Sequence, residues 1–333
     1  MLEYVKKALV TPIDLYTTLP YKIYLFPDYS KDHSIMLTCV HHSFQDGLCW
    51  LSTKIAMSDD KDFSVLPLVT TPSMLTMLLA EVTSIGAVFR TFINFLSITP
   101  HNNCFRQNTE QTPTDRAICI SPDLKREDFS ERCKQVGCTF NNATKTLLGM
   151  AFKQYAERHG QPELASLTLS STFSLKAPPR SEAELIAGNH WVSRAYDIPL
   201  GHDFDQLLKI NKRISKEQAA GFNLIAQKNF LKLVMSLPES LQLWALKRMQ
   251  SGVDFRYSNV PHLKKNTVVN GVETLSEASF AASMPNQVNC ILINSYTHIL
   301  KIGLTTSQTQ VKDPDDLMKC IVAEFYNFMY PNG

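Results

Sequence analysis

A short polar stretch between two patterned runs constrains this chain more than any other feature. Residues 34–40 form a strand-like run, and residues 48–55 form a helix-like run. The letters HHSFQDG at residues 41–47 lie between them. The sequence therefore predicts a strand-to-helix turn, a place where rigid elements can present reacting groups.

The side chains of this turn are suited to proton transfer. His42 is a candidate general base, because imidazole gains and loses a proton near neutral pH. Asp46 can either brace the loop or accept a hydrogen bond from an imidazole N–H and so fix the tautomer. Gly47 would let the backbone turn tightly. On composition alone, a histidine pair is also compatible with a structural or solvated role.

The complete pattern resembles the HHxxxDG motif of CoA-dependent acyltransferases with the chloramphenicol-acetyltransferase-like fold. Within that superfamily, the flanks resemble the wax ester synthase/diacylglycerol acyltransferase family. The further similarities are LPYKIYL at 19–25 to its PLW-type strand, TFNNA at 139–143 to its TxND helix start, Gly188-Asn189 to its GN step, Ser258-Asn259-Val260-Pro261 to its SNVPG turn, and Asn294-Ser295-Tyr296 to its SY hairpin. Their order and spacing make the resemblance specific along the whole chain, although each motif is weak.

The resemblance implies an α/β (α+β) fold of the chloramphenicol-acetyltransferase-like type with two mixed-sheet subdomains. Residues 1–98 would form an incomplete N-terminal subdomain that carries the HHxxxDG motif. Residues 99–114 are polar and read as a surface linker, and residues 115–333 would form the C-terminal subdomain. In relatives the active site lies between the two subdomains, in a channel that both substrates enter.

The activity that the resemblance implies is transfer of a fatty acyl group from acyl-CoA to a long-chain alcohol or diacylglycerol. His42 would be the general base, His41 its packing neighbour in the catalytic motif, and Asp46 a brace. Gly47, Asn141, Ser258 and Asn259 are candidate substrate-binding residues. Ser258 and Asn259 could polarise the oxyanion or simply form a turn, and Asn141 could be a plain helix cap. We expect no metal and no cofactor, with acyl-CoA as a substrate.

Several departures from the family keep two alternatives open. The family carries a substantial N-terminal stretch that this chain lacks, and it has Asp where this chain has Asn142 and Gly where this chain has His262. One alternative is a catalytically inactive or truncated relative that binds lipid or a protein partner. The other is a transferase of the same superfamily that acts on an amine or a polyketide-like alcohol.

Residues 72–98 form the most apolar part of the chain. A membrane-spanning helix, a core helix that bridges subdomains and an interfacial helix on a membrane or lipid droplet all remain open. Glu81 and Arg90 interrupt the segment and Gly86 weakens it, which counts against a span. The interfacial alternative would suit a lipid substrate. With the resemblance, it leads us to expect a membrane-associated protein at the endoplasmic reticulum or plasma membrane, facing the cytosol.

Composition narrows the remaining classes. Lys and Arg number 33 against 31 Asp and Glu, a balance that argues against nucleic-acid binding, which needs a basic face. Apolar residues at 44% and charged residues at 19% are typical of a globular protein with a core. The eight cysteines are scattered without a CxxC pair, so we expect reduced thiols in the cytosol rather than disulfides or a zinc site.

Periodicity predicts the main secondary structure. A helix capped by Asn141 or Asn142 should bury one apolar face. A helix at 238–250 should turn inward the apolar side chains of Leu241, Trp244, Ala245 and Met249. The other predicted elements are helices at 2–10, 204–219 and 222–237, strands at 21–26, 34–40, 116–121, 166–176 and 190–200, a hairpin at 290–305 that turns at Tyr296-Thr297, and a last helix from Pro314.

Overall fold

Helices and strands alternate along the computed structural model, which describes residues 1–69, 71–83, 85–98, 102–106, 116–186, 188–260, 263–282 and 289–331. The helices are α1 (Leu2–Val10), α2 (Gly47–Met57), α3 (Met74–Thr83), α4 (Ile85–Leu96), α5 (Arg126–Gln135), α6 (Phe140–Arg158), α7 (Phe204–Gln218), α8 (Gly221–Met235), α9 (Glu239–Ser251) and α10 (Pro314–Met329). The strands are β1 (Tyr21–Phe26), β2 (Ile35–Val40), β3 (Ala117–Ile120), β4 (Leu124–Lys125), β5 (Ser166–Ser174), β6 (Trp191–Pro199), β7 (Phe255–Val260), β8 (Val268–Val269), β9 (Val272–Glu273), β10 (Cys290–Tyr296) and β11 (Ile299–Thr306).

One large mixed sheet underlies the C-terminal part of the chain. Its strands follow the order β3-β11-β10-β7-β5-β6, and β4 also pairs with β11. Strand β7 runs parallel to both β5 and β10, whereas the other neighbours are antiparallel. The predicted mixed α/β fold class is confirmed.

The sheet in the N-terminal part is simpler than predicted. Strands β1 and β2 form an antiparallel pair with the expected bounds. Among the residues that the structure describes, this pair has no third strand, so the prediction of a mixed sheet in each half holds only for the C-terminal half. Most side chains of β1 are exposed as a result.

Helix α6 lies at the centre of the main core. The apolar face that periodicity predicts is fully buried and consists of Leu147, Leu148, Ala151, Phe152 and Tyr155. The Phe152 ring stacks on Phe255 of β7 with centroids 4.8 Å apart. On the neighbouring helices, Phe129 of α5 stacks on Phe325 of α10 at 5.2 Å. Aromatic contacts therefore tie the helices to each other and to the sheet.

Part of the predicted surface linker belongs to this core. Phe105 is completely buried and its ring lies 5.3 Å from that of Phe152. The Asn103 amide donates to Asp254 at 2.9 Å. The prediction of a surface linker is thus wrong for residues 102–106, because burial of one aromatic ring outweighs the polar composition around it. The rest of 99–114, like Pro261 and His262, lies outside the described residues.

The cap of α6 differs by a few residues from the prediction. Thr139 is the N-cap, since its hydroxyl accepts the hydrogen bond of the Asn142 backbone N–H at 3.2 Å. Threonine with an extended backbone satisfies the first turn, so neither asparagine is needed for it. The Asn141 side chain bonds to Tyr257 instead. The buried side-chain oxygen of Asn142 has no hydrogen-bond partner among the residues that the structure describes.

The apolar segment 72–98 is two helices rather than one. Both α3 and α4 pack against α8. In the described part of the chain, no single helix has the length and apolar composition to cross a membrane; only Met74–Val82 and Gly86–Leu96 taken together, with 73° between them, meet that criterion.

The three helices predicted after β6 are confirmed as α7, α8 and α9, but one of their faces is not. Leu241 and Trp244 of α9 are 47% and 52% exposed. The helix packs against Phe95 of α4 through Ala245 and Met249, and the Trp244 ring lies 5.5 Å from the Phe95 ring. The predicted inward face is therefore confirmed for Ala245 and Met249 and wrong for Leu241, while Trp244 contacts Phe95 edge-to-face and leaves about half of its surface exposed.

The C-terminal hairpin is confirmed with its turn moved by one residue. Tyr296 pairs with Ile299, so the turn is Thr297-His298. Thr297 takes the positive φ of 46° that this tight turn requires. Tyr296 stays in the strand because its ring is buried and its hydroxyl accepts from the Thr267 backbone N–H at 2.8 Å.

Substitution of Gly149 tests how closely α6 packs against the end of β6. A Cβ atom there would lie 2.6 Å from the Pro199 carbonyl oxygen. We expect Gly149→Ala to lower the free energy of unfolding by about 1–3 kcal/mol, although alanine normally favours a helix. Gly86→Ala on α4 is the matched control, since nothing lies within 4 Å of its Cβ position. That control should gain up to about 1 kcal/mol, and urea titrations that show both variants stabilised would contradict the packing.

Candidate active site

The HHSFQDG stretch forms the predicted turn between β2 and α2. The backbone N–H of His41 donates to Pro20 O at 2.7 Å, which extends the pairing of the β1–β2 hairpin. The Phe44 N–H then donates back to His41 O at 2.9 Å and closes the turn. Helix α2 begins at Gly47. The two histidines are therefore held between a strand end and a helix start.

Asp46 braces this turn as the N-cap of α2. One carboxylate oxygen accepts from the N–H groups of Leu48 and Cys49 at 3.1 and 2.9 Å. The other accepts from the His190 backbone N–H at 2.7 Å. The carboxylate is 7% exposed. Of the two roles that sequence left open, bracing is the one observed, because the oxygens are taken up by backbone donors rather than an imidazole.

Gly47 does not make the tight turn that sequence predicts. It is the first residue of α2, and the left-handed glycines of the described chain are elsewhere. The Asp46 cap starts the helix directly, so no special backbone conformation is needed. A Cβ atom at position 47 would meet nothing within 4 Å. The assignment of Gly47 to substrate binding stays a prediction.

His42 is exposed and joined to a distant part of the chain. Its Nδ1 lies 2.9 Å from the side-chain oxygen of Asn189. The Trp191 ring lies beside the imidazole, with centroids 5.4 Å apart and planes at 57°. Both partners come from the loop and first residue of β6. The described residues therefore do not close the expected substrate channel around His42.

Hydrogen bonds from both backbone and side-chain groups hold the loop at 188–190 against the turn at 41–46. The Asp46 N–H donates to Gly188 O at 3.1 Å, and the Asn189 side-chain NH2 donates to Ser43 O at 3.1 Å. With the bond from the His190 N–H to Asp46, three hydrogen bonds join residues 43–46 to residues 188–190. The site is thus a junction between the N-terminal and C-terminal parts of the chain.

His41 faces a different environment. It is half-buried, and its Nδ1 lies 2.7 Å from the Ser43 hydroxyl. The Ser43 backbone N–H donates to the same nitrogen at 3.3 Å. These local contacts fit the predicted part of a packing neighbour.

Sequence reasoning missed the roles of Asn189 and Trp191. Gly188-Asn189 was noted only as a motif, and its place beside His42 depends on a contact across 147 positions. Trp191 gave no signal, because an aromatic residue at a strand start is ordinary in a buried sheet.

The other predicted residues form a second group along the sheet. The Asn141 side-chain oxygen accepts from the Tyr257 hydroxyl at 2.8 Å. Ser258 and Asn259 follow on β7, and the Ser258 hydroxyl accepts from Thr172 at 3.2 Å. Strand β5 lies between β7 and β6, and Ser258 is level with Thr172, whereas Trp191 pairs with Ser174. Two strand spacings and two residues along the strand put Ser258 roughly 12 Å from Trp191. An oxyanion donor must lie about 3 Å from the developing charge, so that role stays a prediction.

Burial shifts the pKa values of two side chains, the Cys49 thiol and the Lys145 ammonium. Cys49 lies next to the turn, where burial, and after it the charge of Asp46, raises the pKa of the thiol. The protonated thiol is a poor nucleophile, which argues against an acyl-cysteine intermediate there. Lys145 on α6 is 1% exposed, with its ammonium 4.8 Å from the Tyr196 ring centre. Burial lowers the pKa of Lys145 to about 8.

A sequence comparison connects this site to a known domain. Residues 188–328 match the WS/DGAT C-terminal domain. The match begins at Gly188, immediately before the asparagine that contacts His42. The resemblance to the wax ester synthase/diacylglycerol acyltransferase family is therefore confirmed. No curated protein matches the chain by sequence.

Solved structures share the fold at low identity. The wax ester synthase/diacylglycerol acyltransferase from Marinobacter aquaeolei VT8 has a TM-score of 0.61 and 14% identity, over 99% of this chain and 75% of that chain. The first condensation domain of the CDA synthetase has 0.63 and 12%, over 98% and 71%. The epimerization domain of tyrocidine synthetase B has 0.60 and 12%, over 98% and 74%. The domain match and the shared fold together indicate an acyltransferase.

Asp46 both caps α2 and accepts from the His190 N–H, so its removal should lower the free energy of unfolding more than the loss of an ordinary helix cap. Asp46→Ala should lose about 1 kcal/mol as a helix cap and a further 1–3 kcal/mol, roughly, from the unpaired His190 N–H. Asp203→Ala is the matched control, because Asp203 caps α7 through Gln206 N and is remote from the turn. Urea unfolding of both variants measures the difference, and equal losses would show that the bond to His190 contributes nothing.

Proposed function

We propose that this protein is an O-acyltransferase that moves a fatty acyl group from acyl-CoA to a long-chain alcohol or diacylglycerol. The observation that carries the proposal is the accessible imidazole of His42, held at the HHSFQDG turn by the loop where the WS/DGAT C-terminal domain match begins. The products would be wax esters or triacylglycerols.

A single base accounts for the reaction. The ring nitrogen of His42 that Asn189 does not engage takes the hydroxyl proton of the alcohol. The alcohol oxygen forms a bond to the thioester carbonyl carbon, the carbon–sulfur bond breaks, and the imidazolium returns its proton to the departing CoA sulfur. No covalent acyl-enzyme is needed. A general base contributes about 10²–10⁴-fold, and placing both substrates side by side contributes much of the rest.

The second group of residues is assigned to the substrates. Asn141 on α6 and Ser258 and Asn259 on the central strand β7 present amide and hydroxyl groups, and β7 is separated by β5 from the edge strand β6, which carries Trp191. We assign Ser258 and Asn259 to polarising the thioester carbonyl, and Asn141 to holding Tyr257 beside them. These roles support the base but involve no proton transfer.

A lipid surface is the proposed site of action. The two helices α3 and α4 expose more large apolar side chains than a water-soluble surface normally carries; they are Met74, Leu75, Leu78, Leu79, Val82, Phe89, Phe92, Ile93 and Leu96. The adjoining helices α8 and α9 add Lys232, Lys247 and Arg248 against Glu239, while Lys228 of α8 is paired with Glu81 of α3 at 2.7 Å. Apolar residues with basic neighbours suit an anionic membrane. Free cysteines fit the cytosolic face of the endoplasmic reticulum or plasma membrane.

Lipid binding without catalysis is the second candidate function. The observation that favours it is the exposure of His42, because an acyl transfer open to water competes with hydrolysis. Asn142 stands where the family has aspartate, which removes a charge near the start of α6 and also favours lipid binding without catalysis.

An acyl-transfer assay separates the two candidates. Membranes that contain the protein receive labelled palmitoyl-CoA with either hexadecanol or diacylglycerol. We expect ester formation that falls at least about 10²-fold in His42→Ala and less in His41→Ala. Equal activity of wild type and His42→Ala would overturn the assignment of the base. No ester from a folded protein that still binds lipid would favour the second candidate.

The lipid surface has its own test. We expect the protein to float with vesicles that contain phosphatidylserine and to bind weakly to vesicles of phosphatidylcholine alone. Leu78→Glu with Phe89→Glu should abolish flotation, because both side chains are exposed on α3 and α4. Tyr16→Glu is the matched control, since Tyr16 is fully exposed elsewhere. A wild-type protein that ignores both vesicles would contradict membrane association.

A further inference from the structure

We infer that Asn189 is a positioning residue that keeps the proton of neutral His42 on Nδ1 and leaves the lone pair of Nε2 as the base. The catalytic consequence rests on the proposed function, whereas the position of the proton does not. Four contacts around Asn189 and Ser43 carry the inference.

The orientation of the Asn189 amide is fixed from two sides. The Trp191 indole N–H lies 3.2 Å from the amide oxygen, and an indole N–H can only donate. The amide NH2 lies 3.1 Å from Ser43 O, and a carbonyl can only accept. Exchanging the oxygen and nitrogen of the amide would break both bonds. The oxygen must therefore be the atom that faces Trp191 and His42.

The amide oxygen in turn fixes the tautomer of His42. The Asn189 amide oxygen lies 2.9 Å from His42 Nδ1, so it can accept a second hydrogen bond there. An amide oxygen has no proton to donate, so the hydrogen of this bond belongs to Nδ1. In a neutral imidazole only one nitrogen carries a proton. Nε2 is then the acceptor, which is the state that a general base requires.

His41 is held in the opposite tautomer. The Ser43 backbone N–H donates to His41 Nδ1 at 3.3 Å, so that nitrogen accepts and the ring proton lies on Nε2. Ser43 therefore acts on both histidines, through its N–H on one and through Asn189 on the other. Of the two adjacent rings, only His42 offers Nε2 as a base.

The choice of an amide also suits the chemistry. When His42 takes the proton of the alcohol, the bond from Nδ1–H to the amide oxygen becomes charge-assisted and shortens. The Trp191 ring, at 5.4 Å, is within range to favour the imidazolium. A carboxylate in the place of Asn189 would favour the protonated ring before the substrate arrives. The nearby carboxylate, Asp46, is occupied by backbone donors.

Nitrogen NMR of histidine-labelled protein measures the tautomer without any substrate. Signals of His42 are assigned by their loss in His42→Gln. We expect the wild-type proton on Nδ1 above the pH at which the ring titrates, and a population with the proton on Nε2 in Asn189→Leu. A wild-type proton on Nε2, or the same tautomer in Asn189→Leu, would overturn the inference.

Kinetics then test the catalytic consequence. We expect Asn189→Leu to lower kcat about 10–100-fold with KM little changed, by analogy with the loss of the partners that orient metal-bound histidines. Asn189→Asp should move the acidic limb of the pH profile up by about one pH unit and recover activity at alkaline pH. Asn223→Leu and Asn223→Asp are matched controls, since Asn223 is half-buried at the start of α8 and its side chain donates to Glu217 O, a bond unconnected with the turn.

The outcomes separate the inference from the proposed function. Equal loss in both Asn189 variants at every pH would mean that the residue only holds the loop, and would overturn the positioning role. The predicted tautomer in a protein that transfers no acyl group would sustain the inference on Asn189 and refute the proposed function.

Discussion

The bonds of the buried Asp46 carboxylate are the constraint on which the site depends. They start α2 and at the same time fasten the loop at 188–190 to the turn at 41–46. A buried carboxylate is stable only where donors surround it, and here a helix N-terminus and the His190 N–H supply them. Because those donors come from both parts of the chain, His42 and Asn189 meet only after the fold is complete.

Much of the fold was predictable from local pattern. Helix α6, the helices α7 and α8 and the β10–β11 hairpin all have strong periodicity or turn signals, and their bounds differ from the structure by no more than a few residues. The errors share a cause. Phe105 is buried within a polar segment, and Trp244 is exposed within an apolar stripe, because each depends on which layer lies opposite. Sequence pattern states that a face is apolar, but the partner layer decides whether it is covered.

The candidate site likewise has a part that was predictable from the sequence and a part that was not. His42 and Asp46 lie in one continuous motif, so residue type and spacing were enough to select them. The orientation of the His42 ring was not predictable, since the atoms that fix it belong to Asn189 and Trp191, on the other side of the junction. The bracing role of Asp46 likewise required knowledge that its oxygens were taken by backbone N–H groups.

A division of labour between acid and amide follows from these contacts. The carboxylate is placed where a full negative charge is useful, at the positive end of a helix. The amide is placed beside the imidazole, where a full charge would hold the ring protonated and remove it as a base. Exchanging the two functions would leave α2 with a weaker cap and His42 already charged at neutral pH. The motif aspartate and the asparagine of the distant loop thus act together: the first fixes the position of the turn that carries His42, and the second fixes which nitrogen of the His42 ring carries the proton.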